Sequence, residues 1–134
     1  MPKLEYFLVA QSISIDRDLN QISVFNILEE VSIPKSGPAF IPQMVALGSW
    51  ILEPEDIGKD FQVMLEIVPP VAENAENLQK VSINFTGTTK RQRVYSRIVG
   101  LPLPQAGDVA FRLLLNGHHE ASHTLSVRQQ EDSD

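Results

Sequence analysis

Three histidines, His118, His119 and His123, stand close together in the chain with Glu120 among them. Imidazole nitrogens and a carboxylate suit zinc or another divalent ion, so metal binding is the first chemistry these residues suggest. Their spacing matches no helical zinc motif, and convergence of the four side chains would demand a special loop shape. A solvated loop with one histidine at the core edge is the expected arrangement, and no metal is assigned. The second candidate is basic. Lys90, Arg91, Arg93 and Arg97 form the one cationic cluster, and strand alternation would align Arg91, Arg93 and Arg97 with Tyr95 on one face. Such a patch could receive a phosphate or an acidic partner. One tyrosine is not a stacking set, so ordinary solvated charge is the expectation there.

A catalytic constellation is not visible. Ser122 directly precedes His123, but neighbours on a strand point to opposite faces and cannot act as a pair. Neither of the common glycine-rich nucleotide loops occurs. The expectation is a protein without enzymatic activity and without a cofactor.

Composition narrows the classes further. With 134 residues, 43% of them hydrophobic, the chain has the size of one domain, expected over residues 1–128 with a polar tail over 129–134. A net charge of −6 argues against a general nucleic-acid binder, which needs clustered cations to displace counterions. The absence of cysteine excludes a disulfide framework and thiolate chemistry and fits a reducing compartment, so cytoplasmic localisation is expected. The N-terminal MPKLEYFLVAQS holds too short an apolar run for a signal-peptide core or a bilayer span, and no membrane association is expected.

The elements that must position these residues are strands. Residues 107–127, GDVAFRLLLNGHHEASHTLSV, alternate in period two on both sides of Asn116-Gly117, the pattern of a half-buried hairpin. A two-residue turn there would set Phe111 opposite Ser122 and mismatch the apolar faces, whereas a loop over residues 116–120 pairs Phe111 with Leu125 and Val109 with Val127. Register follows the buried face, so the longer loop is preferred. Further strands are expected over residues 4–15, 21–28, 43–52, 61–67, 81–85 and 94–99. Asn26 is expected at an edge or in solvent. Three prolines make residues 34–42, PKSGPAFIP, a crossing or an edge, with Phe40 expected to plug the end of the fold. Trp50, with Met44, Ala46 and Gly48 on its face, is expected in the core. The residues after 70 read as an acidic loop and those from 129 as a fraying tail. About eight strands without a long helix predict an all-β, two-sheet β-sandwich, immunoglobulin-like rather than barrel or jelly roll.

Two segments carry a family likeness. Residues 18–29, DLNQISVFNILE, and the stretch from Leu101-Pro102 to Gly107, Phe111 and Gly117 together resemble a family of small uncharacterised bacterial all-β proteins with a similar serine, apolar, Phe-Asn, apolar, Glu strand. The resemblance implies a fold and offers no established activity or site residues. The second segment is also similar to the entry of the penultimate strand in immunoglobulin-like sandwiches, with Val109 where a tyrosine would commonly stand.

Two functions remain open on this sequence. The preferred one is a non-catalytic intracellular module that binds protein or assembles with itself; the alternative is a small-molecule, carbohydrate or metal site, enzymatic or purely binding, at the sandwich end near the histidine-rich hairpin. Self-association is favoured by doubly apolar strands. Tyr6 and Leu8 lie opposite Phe7 and Val9, Ile22 and Val24 opposite Phe25 and Ile27, and Met44 and Trp50 opposite Val45, Leu47 and Ile51. A sandwich core covers one face of each strand, so the other must be shielded by a loop such as 34–42, by a helix, or by another chain. A homo-oligomer, most simply a two-fold dimer, is expected.

Overall fold

The computed structural model describes residues 1–37, 39–70 and 78–131. The acidic loop expected over residues 71–77 and the last three residues of the tail lie outside them. The described residues form eleven strands: β1 (Lys3–Asp16), β2 (Gln21–Ile27), β3 (Glu30–Ile33), β4 (Phe40–Ile51), β5 (Asp60–Phe61), β6 (Val63–Val68), β7 (Gln79–Ser82), β8 (Phe85–Thr86), β9 (Arg91–Pro102), β10 (Gly107–Leu115) and β11 (His118–Gln129). One 3-10 turn, Pro54–Asp56, accompanies them. The fold is a two-sheet β-sandwich. One sheet has the order β2-β1-β4-β9, the other β3-β11-β10-β6-β7, and β5 pairs with β8 at one end. Eleven strands replace the expected eight because the expected strand 61–67 is broken into β5 and β6, the expected strand 81–85 into β7 and β8, and four-residue β3 is too short to leave a periodic signal.

The core lies where the inward faces meet. Val9, Met44, Ala46 and Ile98 of the four-stranded sheet pack with Leu65, Ile67, Phe111, Leu125 and Val127 of the five-stranded one. A second cluster gathers Leu52, Phe61, Val63, Phe85, Val94, Leu113 and Leu115 around Trp50, which is wholly buried as expected. The rings of Phe61 and Phe85 lie 5.2 Å apart and close that end. The indole N–H of Trp50 has no protein acceptor among the described residues, so the ring is held there by packing.

The hairpin corrects the expected register. Leu115 pairs with His118 across the two-residue turn Asn116-Gly117, whose φ angles of 49° and 83° are those a type I′ turn requires. Phe111 stands opposite His123, and Leu125 opposite Val109. The register shifts between Leu113, paired with Ala121, and Leu114, paired with His119, so Glu120 is an extra residue on β11. This β-bulge reconciles the two signals: the Asn-Gly turn stays tight, and the one-residue shift still turns Leu125 and Val127 inward with Val109 and Phe111.

Residues 34–42 depart from expectation in part. Pro42 lies within β4, a central strand, but β4 pairs with β1 only as far as Val45 opposite Ala10, so at Pro42 one side of the strand is open and no ladder donor is lost. Ala39 and Ile41 pack against the core, whereas Phe40 is 62% exposed and plugs nothing. The expected fraying from residue 129 is also corrected, since Gln129 pairs with Ile33 and the Gln130 N–H donates to the Ile33 carbonyl. Asn26 is exposed on edge strand β2 as expected, with φ of 56° and its amide donating to Gln11 Oε1 at 2.6 Å.

Candidate functional site

The hairpin tip disperses its histidines. His118 and Glu120 are exposed, and Glu120 occupies the bulge. His119 shares a hydrogen bond of 2.9 Å with Ser122 Oγ. His123 sits at the core edge, where its Nε2–H donates to the Leu28 carbonyl at 2.6 Å and its ring meets Phe111 edge-on at 6.3 Å. It pins the point at which the chain leaves one sheet for the other, because the Ser126 N–H takes the next carbonyl, that of Glu29. Among the described residues no three His, Cys, Asp or Glu side chains come together as a metal site.

The basic cluster is largely spoken for by its own chain. Arg91, Arg93, Tyr95 and Arg97 project outward from β9, as alternation predicts. Arg91 donates twice to Glu5, from Nε at 3.0 Å and from Nη2 at 2.8 Å, and the Ser49 hydroxyl donates to the same carboxylate at 3.0 Å. The guanidinium, then the hydroxyl, hold the Glu5 carboxyl below the usual carboxylate range. Arg93 donates to the side-chain and backbone oxygens of Asn20 at 3.1 and 2.6 Å. Lys90 and Arg97 make no ion pair among the described residues. Sequence reasoning missed the Glu5–Ser49–Arg91 tie, for which nothing local signals a pairing across 86 positions.

What the strands do assemble is the outward face of the four-stranded sheet. Ladder pairing places Ile27, Ala10, Val45 and Arg97 in one row and Leu8, Leu47 and Tyr95 in the next. Phe25 and Val99 stand at the two edges, opposite Ser12 and Gln43. Ala10, Val45 and Leu47 belong to neither core cluster yet are 0–2% exposed. The β1–β2 hairpin accounts for this: β1 leaves β4 after Ala10, and Arg93, opposite Ser49, reaches Asn20 in the hairpin turn, so the hairpin folds back across the outward side of β4. The larger side chains of β2 and β9 are open: Phe25, Ile27 and Tyr95 are 45–49% exposed and Val99 is 81% exposed. Gly100 keeps this face separate from the core. Its φ of 69° lets β9 turn over, so that Val99 points out while Ile98 and Leu101 both point in. No described helix lies on the face, and the loop over residues 34–42 packs Ala39 and Ile41 against the core; the shield is the chain's own β1–β2 hairpin.

Two concave sites lie near the candidate residues or the core end. An apolar cleft of about 200 Å³, walled by Pro69, Pro70, Leu101, Leu103 and Val109, opens at the end of the sandwich opposite the hairpin tip. A polar groove of about 440 Å³ runs past Asn20, Thr88, Arg91 and Arg93, whose cations are already engaged. Neither has a histidine in its wall. Away from both, buried Asp56 accepts the Glu53 N–H at 2.9 Å, which holds its carboxyl below the ordinary range and fixes the 3-10 turn.

As a class the protein is a two-sheet β-sandwich whose β1–β2 hairpin folds back over the outward face of the four-stranded sheet. Residues 5–128 match a family described as a family of unknown function, DUF6941, and the chain belongs to that family. No curated protein matches the chain. No described helix is long and apolar enough to cross a membrane.

Proposed function

We propose that this chain is a non-catalytic, intracellular protein-binding or assembly module whose working surface is the set of exposed apolar side chains on β2 and β9. The observation that carries this reading is the exposure of four large apolar side chains, Phe25 and Ile27 on β2 and Tyr95 and Val99 on β9. Monomeric proteins rarely leave apolar patches of more than a few hundred Å² to water, and such patches mark contact sites. Arg93 and Arg97 give the β9 side of the face a positive rim in a chain that is otherwise acidic, which favours an acidic counterpart.

The test is a capture from native lysate with two baits, the wild type and Val99→Asp. A protein enriched by the first and lost by the second supports the reading. Equal recovery by both baits, or none by either in a chain shown to be monomeric, overturns it. The alternative of a metal site at the hairpin finds less support, because His119 and His123 already face separate partners. Calorimetry that gave a sub-micromolar zinc site abolished by His119→Ala would reverse that ranking.

A further inference from the structure

We infer that the free edge of β9 takes up an extended, acidic segment of another protein, which joins the four-stranded sheet as one more strand. The inference rests on the binding reading above and adds the partner's chemistry. β9 ends its sheet, with β4 on one side and no described strand on the other. The Leu52 N–H donates to the Lys90 carbonyl, one step beyond the pair Ile51 and Arg91, so the even residues of β9 up to Ile98 turn their N–H and C=O toward β4. Arg91, Arg93, Tyr95, Arg97 and Val99 turn theirs to the open side. Side chains serve two of those five carbonyls: the Thr89 hydroxyl donates to that of Arg91 at 2.8 Å, and the Gln92 amide to that of Arg93 at 3.5 Å. The open-side groups of Tyr95, Arg97 and Val99 have no partner among the described residues.

A row of unpaired N–H and C=O groups is a template for a further strand, and folds ordinarily blunt it. The other edges of the two main sheets are blunted here. β3 and β7 carry four residues each, and β2 leaves extended form at Asn26, whose φ is 56°. β9 runs from Arg91 to Val99 in one register against β4, with no proline and no inward-pointing charge. Its one protection is the outward arginines, and that protection is selective. Arg93 is bonded to the neutral oxygens of Asn20, and Arg97 has no ion pair among the described residues. β9 holds no carboxylate, so a second β9 would set cation beside cation, which destabilises facing strands. The remaining edges of a second copy supply no match either, since β2 and β7 lack carboxylates and Glu30 of β3 is held by Arg128 at 2.6 Å. A foreign strand with carboxylate and apolar residues in turn on its outward face fits: the carboxylates stand beside Arg93 and Arg97, the apolar residues beside Tyr95 and Val99.

The test is residue-resolved amide hydrogen exchange with two synthetic peptides, Glu-Thr-Val-Thr-Glu-Thr-Val and the same peptide with lysine in place of each glutamate. In the free, dilute protein the amides of Tyr95, Arg97 and Val99 should exchange much faster than those of Val94, Ser96 and Ile98, which bond to β4. The acidic peptide should slow the fast set by about tenfold once it reaches roughly ten times its dissociation constant. The lysine peptide should leave it unchanged. Arg97→Glu should reverse the preference between the peptides, with an unchanged circular dichroism melt to show that the exposed substitution leaves folding intact. Slow exchange of all six amides in the free, dilute protein would mean that the edge is already covered and would overturn the inference. Slowing on concentration of the protein alone would give the edge to a second copy and overturn it too, as would equal action, or none, by the two peptides. If neither peptide acted while the wild type, but not Val99→Asp, still captured a protein from lysate, the binding reading would stand on its side chains and the edge alone would fail; with no capture, both would fall.

Discussion

Strand β4 buries every residue from Met44 to Trp50, yet its two faces are buried in different ways. Met44, Ala46 and Trp50 look inward and are held by a second layer, with side chains from β6, β10 and β11 closing over them. Val45 and Leu47 look outward, where the β1–β2 hairpin folds back over them. Equal exposure thus conceals unequal packing. A single folded-back hairpin is a thinner cover than a second sheet, so a side chain beneath it makes fewer contacts and loses less when truncated.

The largest effect belongs to the inner face. Trp50→Ala should cost about 3–5 kcal/mol in denaturant unfolding, since it empties the centre of a cluster. A loss below about 1 kcal/mol would place the indole at the surface and break the comparison. One chemistry tried on both faces sharpens it. Leu113→Ala, between the sheets, should cost about 4 kcal/mol, while Leu47→Ala should cost about 2 kcal/mol, because Leu8 and Tyr95 can settle into the vacated space. Equal losses measured on dilute, monomeric protein would mean that Leu47 is packed as tightly as the core.

Both faces of β4 were legible in the sequence, because Met44, Ala46 and Trp50 alternate with Val45, Leu47 and Ile51, and no polar residue forces either set outward. The family was legible too, in the strand from Asp18 to Glu29. The hairpin was legible in parity alone: apolar matching required Leu125 to face inward with Phe111, but it could not say whether a longer loop or an extra residue achieved this. Glu120 carries no sign of being that residue, since a bulge asks only for a position that tolerates an unpaired backbone. Phe40 misled because an aromatic among prolines resembles a plug, and its exposure depends on which way one edge-like segment of β4 turns. The polar ties of the outward face lay further out of reach, as Arg91 and Glu5 become neighbours only after three strands have been laid side by side.

The Glu5 tie gives the outward face a pH dependence that its apolar residues lack. Its folded pKa is lowered, so the stability it contributes is fully present above the carboxylate's unfolded value and is lost as pH falls through the folded one. Asp56 follows the same sign through the Glu53 N–H. Melting temperature should therefore fall on acidification below the ordinary glutamate range, near pH 4, and Glu5→Gln should flatten part of that fall by lowering the neutral-pH melt toward the acid one. A variant that kept the full acid response would assign it to Asp56 and other carboxylates.

The smallest effect on folding, and the sharpest on the comparison, belongs to Val99. Threonine keeps its shape and β-branching, so Val99→Thr changes the polarity of the most exposed large apolar residue and little else. In dilute solution the substitution should move stability by no more than about 0.5 kcal/mol, as surface changes do. With the acidic peptide present the prediction changes, because anything bound to the folded state alone raises apparent stability by mass action. The wild type should melt higher as the peptide is added, and Val99→Thr, which keeps its edge N–H, should keep most of that rise. A cost above about 1 kcal/mol in the dilute melt would mean that Val99 is already packed against its own chain. The outward face would then be a second core, and the contrast with Trp50 would disappear.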